Sequence, residues 1–71
     1  MTRAEHLAWA KVRALEELDC GGAPYEAAAS MLSDLVKHTD TIDLAQENAE
    51  PSVQAALAGH DAVRAWIAGI Q

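Results

Sequence analysis

The chain has no phenylalanine, one tyrosine, two tryptophans, two prolines and a single cysteine among its 71 residues. One cysteine cannot close an internal disulfide, so Cys20 implies neither an oxidising compartment nor a disulfide scaffold. Basic side chains are also scarce: five Lys and Arg stand against 11 Asp and Glu, a formal net charge of −6. Nonspecific binding to nucleic acid is driven by cations that displace phosphate counterions, and that supply is missing. The same balance disfavours docking on an anionic membrane. No run approaches the roughly 18–20 apolar residues of a membrane span. Residues 1–20 are too often interrupted by charge to hold the apolar core of a signal peptide. Together these absences lead us to expect a cytoplasmic protein.

What the chain has is alanine. It supplies 16 of the 36 apolar residues and leaves 20 larger ones. This length holds one domain, and a domain near this size buries only about 60% of its unfolded surface. A Rossmann unit with a substrate domain, a TIM barrel and a kinase are all too large to fit. An apolar fraction of 51% is too high for a disordered chain, and alanine favours helix over strand. The expected class is all-α: a small bundle of three to four helices built on an N-terminal antiparallel hairpin.

Punctuation and periodicity place the helices at about 3–19, 24–38, 41–58 with a break near Pro51, and 61–70. Thr2 and Glu5 have the spacing of a capping box, and Gly21-Gly22 offers the cheap left-handed backbone that ends a helix. Ala4, Leu7, Ala8, Ala14, Leu15 and Leu18 share one face of the first segment. Lys11 lies within that stripe, where its stem can snorkel over apolar neighbours. Trp9 points elsewhere, so it either receives another helix or stands partly exposed as a contact anchor. The shortage of bulk favours packing. Pro24 suits the first turn of the second helix, whose apolar face is read as Tyr25, Ala28, Met31, Leu32, Leu35 and Val36.

In the third segment Asp40, Asp43, Glu47 and Glu50 recur at spacings of three, four and three, aligned on one helical face. No Lys or Arg occurs between Lys37 and Arg64. Such a row is ordinarily a solvated face; functionally it can dock a basic partner or imitate a phosphate backbone. Ile42, Ala45, Ala49 and Val53 form the opposite, thinly apolar face, expected to pack weakly. Pro51 predicts a kink or a fresh start. Asp61 can cap a last helix, whose Val63, Trp66, Ile67 and Ile70 predict docking on the hairpin.

Catalytic and metal constellations are nearly absent. His6, His38 and His60 are spread over three segments; His38 and His60 each flank a turn and could meet. No Cys-x-x-Cys, His-Glu-x-x-His or calcium-loop spacing occurs, nor a phosphate-binding glycine loop or nucleophile elbow. No enzyme activity, cofactor or metal site is expected.

The run Thr2-Arg3-Ala4-Glu5-His6-Leu7-Ala8-Trp9-Ala10-Lys11 with Arg13-Ala14-Leu15, then Ala28, Ala29, Ser30-Met31, Ser33-Asp34-Leu35 and Lys37-His38, resembles a family of small phage and prophage proteins. Ala58-Gly59-His60 resembles a third, shorter block. The chain departs from that family at Thr39-Asp40-Thr41, where Pro-Glu-Thr is common, and in its polar, acidic segment 42–56. The resemblance implies a short helical protein of phage or prophage origin in the bacterial cytoplasm, with no assigned activity and no catalytic residue to transfer.

The expected function is therefore a non-enzymatic accessory module that binds a host or phage protein, with Trp9, Asp40, Asp43, Glu47 and Glu50 as the candidate contact residues. An acidic DNA mimic that inhibits a nucleic-acid-binding protein is the alternative. Direct DNA binding through a helix-turn-helix lacks a basic recognition helix, and no membrane partner is expected. A homodimer is open if Ile42, Val53, Trp66 and Ile70 cannot all be buried within one chain.

Overall fold

In the computed structural model, which describes all 71 residues, the chain is all-α. Four helices follow in order: α1 (Arg3–Asp19), α2 (Pro24–Val36), α3 (Ile42–Ala58) and α4 (His60–Gly69). A single 3-10 turn, Thr39–Thr41, leads into α3. The radius of gyration is 10.9 Å, close to the ~11 Å of a folded chain this long. The helices thus close on one another as one bundle, and no helix is long and apolar enough to cross a membrane.

α1 opens on a complete capping box. The Glu5 amide donates to Thr2 Oγ1 at 3.1 Å and the Thr2 amide donates to Glu5 Oε1 at 2.9 Å. The bond from the Thr2 backbone, followed by that from its side chain, holds the Glu5 carboxyl below the ordinary glutamate value. Its contribution to stability is thus present above the unfolded value and is lost as pH falls through the lowered folded value. An NMR titration of the Glu5 carboxyl carbon should give a midpoint below that of the unfolded chain. Thr2 amide protection should fade over the same acid range. Coincident folded and unfolded midpoints would remove this cap from the account of α1.

The helix ends in a Schellman motif: the Gly22 amide donates to the Glu17 carbonyl at 2.9 Å and the Gly21 amide to Leu18 at 3.2 Å. Gly21 takes φ +91°, and a Cβ on Gly22 would stand 2.8 Å from the Glu17 carbonyl oxygen. Pro24 then starts α2, where the Glu26 carboxylate accepts the Ala23 amide at 3.1 Å. The two helices run antiparallel, joined by Ser30 Oγ–H donating to Glu17 Oε2 at 2.5 Å and Arg13 Nε–H donating to Asp34 Oδ2 at 2.8 Å.

Their buried faces are turned from those read in the sequence. α1 buries His6, Leu7, Ala10, Ala14 and Leu18, whereas Ala4 and Ala8 are exposed. Burial of His6 is supported by a bond to α2, and Ala10, with almost no side chain, lets the helices close in. α2 buries Ala27, Ala28, Met31, Asp34 and Leu35, leaving Tyr25 and Val36 outside. Lys11 Nζ reaches the Ala68 carbonyl at 3.2 Å, at the C-terminal end of α4, where the helix dipole favours a cation.

α3 also presents an unexpected face. Leu44, Ala45, Ser52 and Ala55 are buried, while Ile42, Ala49 and Val53 face solvent. The polar members of the inner face are satisfied, which makes their burial tolerable. Asn48 Nδ2 donates to the Leu44 carbonyl at 2.9 Å and Asn48 Oδ1 accepts the Trp66 indole N–H at 3.0 Å. Ser52 Oγ donates to the Ala49 carbonyl at 2.6 Å. α3 continues through Pro51 without a fresh start. Pro51 is exposed, and the carbonyl it leaves without a donor, that of Glu47, lies on the same outer row in reach of water.

Gly59, at φ +115° and ψ −171°, makes the turn into α4 and serves as its N-cap in place of Asp61, which lies in the first turn. Val63, Ile67 and Ile70 are buried and Trp66 packs against them. Arg64 pairs with Asp19 of α1 at 2.7 Å. The core so formed leaves no buried side-chain nitrogen or oxygen without a partner.

Candidate partner-binding surfaces

Trp9 stays outside the core at 37% exposure. The His6 ring stacks on it at 5.3 Å between centroids, and the Arg13 guanidinium carbon sits 4.8 Å from its ring centre, a cation–π contact. His6 is buried, and its Nε2–H donates to the Asp34 carbonyl at 2.6 Å. Its ring also stacks on His38 at 4.9 Å.

Asp34 organises this corner, and sequence reasoning did not single it out. Its carboxylate is almost wholly buried, held by Arg13 at 2.8 Å and Lys37 at 3.0 Å. The only local signal was Lys37 three residues on; Arg13 and His6 arrive through the fold. His38 and His60, which the sequence left free to meet, do not. His60 lies at the other end of the hairpin, its Nε2–H donating to the Gly22 carbonyl at 3.0 Å. No group of three or more His, Cys, Asp or Glu is placed to hold a metal ion.

The acidic residues divide into two pairs. Asp40 is beside the histidine stack: its amide donates to His38 Nδ1 at 3.2 Å. Asp43 is engaged by Arg3 at 3.5 Å. The structure thus links Trp9 to Asp40 through His6 and His38. Glu47 and Glu50 continue along the exposed side of α3 and have no Lys, Arg or His within ion-pair distance.

A groove of about 370 Å³ runs between α2 and α3. Its floor is small, made by Ala28, Ser52 and Ala56, and its sides are Tyr25, Ala29 and Leu32 on α2 and Val53 and Leu57 on α3. Tyr25 is 67%, Val53 58% and Leu57 85% exposed. Pairing early α2 with late α3 makes these helices antiparallel, so Val36 and Ile42 extend the same rows at the groove's other end. Of the eight large apolar residues left exposed, Tyr25, Val53 and Leu57 line the groove, and Val36 and Ile42 lie farther along the same two helices. Of the row Ile42, Ala45, Ala49 and Val53 legible in the sequence, Ala45 is buried in the core, Val53 lines this groove, and Ile42 and Ala49 are exposed on the same helix.

Scattered apolar side chains are normal on a protein surface, whereas a contiguous patch marks an interaction site. Apart from the phenol of the exposed Tyr25, the groove's polar lining is Ser52, which already donates its hydroxyl proton to its own helix. A small-molecule site normally adds several convergent polar groups to its apolar lining. Physically, the fold and its surface define a small α-helical bundle with one apolar face bordered by uncompensated carboxylates. No protein-family model, curated protein or solved structure matches the chain.

Proposed function

We propose that the protein is a non-enzymatic accessory module that binds another protein through the α2–α3 face. The observation that carries this reading is the gathering of five exposed large apolar side chains onto two adjacent helices. Nothing else in the chain covers them. A phage or prophage origin belongs to the same proposal and rests on the residues of α1 and α2 that resemble that family. A DNA mimic needs carboxylates repeated at phosphate-like spacing across elements. Here Asp43 is engaged by Arg3, and the apolar groove beside the row has no counterpart in a phosphate backbone, which favours a protein ligand.

The test compares three baits in host lysate: the wild-type chain, a Val53→Asp/Leu57→Asp variant, and Val12→Asp on the outer side of α1. A specific partner should be retained by wild type and Val12→Asp and lost with the groove variant. Retention that ignores the groove substitutions would sink the proposal.

A further inference from the structure

Building on that reading, we infer that the groove takes one amphipathic helix of a partner protein, whose apolar row lies between the two walls and whose basic flank meets Glu47 and Glu50. Three features carry this. First, the floor is made of alanine and serine, which lets another helix backbone approach to the usual ~8–10 Å between axes. An extended strand would find no open sheet edge to pair with, because the fold is entirely helical. Second, the rows have a defined length. Tyr25, Ala29, Leu32 and Val36 repeat at four, three and four residues, which spans about 16 Å. That is three turns of a partner helix.

Third, the margin is charged with one sign. Glu50, Val53 and Leu57 follow at three and four residues, so the carboxylate borders the wall directly, with Glu47 one turn before it. Neither glutamate has a cationic neighbour, and α3 contains no Lys or Arg of its own. A second copy of the chain laid on this face would bring two such margins together in a molecule already at −6. A helix with lysine or arginine beside its apolar row would instead compensate them, gaining orientation and faster encounter.

The probe is a pair of 14-residue helical peptides with the same leucine row, one flanked by lysine and the other by glutamate. Each is titrated into the ¹⁵N-labelled full-length protein. The lysine peptide should shift amides of Tyr25, Ala29, Leu32, Val53 and Leu57, and bind at least about tenfold tighter than the glutamate peptide. Replacing Glu47→Gln and Glu50→Gln should weaken it roughly three- to tenfold, the scale of two exposed ion pairs. Added salt should erase most of that difference. Leu57→Asp should abolish binding to the groove.

Equal binding of both peptides would overturn the basic-partner inference while leaving the protein-binding reading intact. A dimer in light scattering that Leu57→Asp converts to monomer would assign the groove to a second copy, with the same consequence. No shift in the groove with either peptide, together with lysate capture indifferent to Leu57→Asp, would overturn both.

Discussion

Ile67→Ala is expected to cost about 2–5 kcal/mol, as large-to-small changes at fully buried aliphatic sites do. Ile67 has no exposed surface and lies on the last helix, where it joins Val63 and Ile70 against the hairpin and α3. A domain of this length has roughly 4–11 kcal/mol in total, at ~0.05–0.15 kcal/mol per residue. The substitution thus removes a large part of the margin, and the C-terminal helix is a keystone of the fold. Urea unfolding monitored by far-UV circular dichroism should remain cooperative with its midpoint sharply lowered. A loss below about 1 kcal/mol, the range of ordinary surface substitutions, would mean that α4 is not docked as described.

The second large effect concerns the buried carboxylate of Asp34. Arg13 and Lys37 are each about half exposed, at 51% and 57%, whereas the Asp34 side chain is 2% exposed. The partners are therefore unequal. Removing Asp34 leaves two cations that water can reach; removing both cations leaves a carboxylate in the interior with neither partner. Arg13→Met/Lys37→Met should cost about 3–5 kcal/mol, the scale of a broken buried ion pair. Adding Asp34→Leu to that variant should restore part of the loss, since no charge is then buried. Denaturant unfolding of the double and triple variants decides the matter. A triple variant less stable than the double would show that Asp34 acts through its shape, and not through its charge.

Much of the architecture was legible because helix ends are written in local chemistry. Thr2 and Glu5, Gly21-Gly22 and Pro24 perform at their sites the roles their residue types suggest. Helix faces were harder. In an alanine-rich helix, Ala4 and Ala8 compete with Ala10 for the inward face, and nothing in alanine itself breaks the tie. What breaks it is tertiary: His6 meets the Asp34 carbonyl, and Asp34 meets Arg13 and Lys37. Read singly, each of these polar residues looks like a surface residue. The inner face of α3 was hidden for a related reason, because Asn48 and Ser52 become buriable only through their own helix and Trp66.

The surface candidates were legible in part. The acidic row was visible from spacing alone, whereas the groove beside it is assembled from two helices and required their pairing. Trp9 was recognised as displaced from the apolar stripe of its helix. Its partners His6 and Arg13 lie three and four residues away, a spacing at which helical neighbours meet.

The alanines at the centre of the bundle bear on how such a protein can change. Ala10, Ala14 and Ala27 are wholly enclosed, so the helices meet nearly backbone to backbone. An added methyl group there has nowhere to go, and little side chain remains to be trimmed. Variation is accordingly channelled outward, onto the rows that face solvent and the groove. A lineage carrying this fold could remodel its exposed surface while its interior stood still.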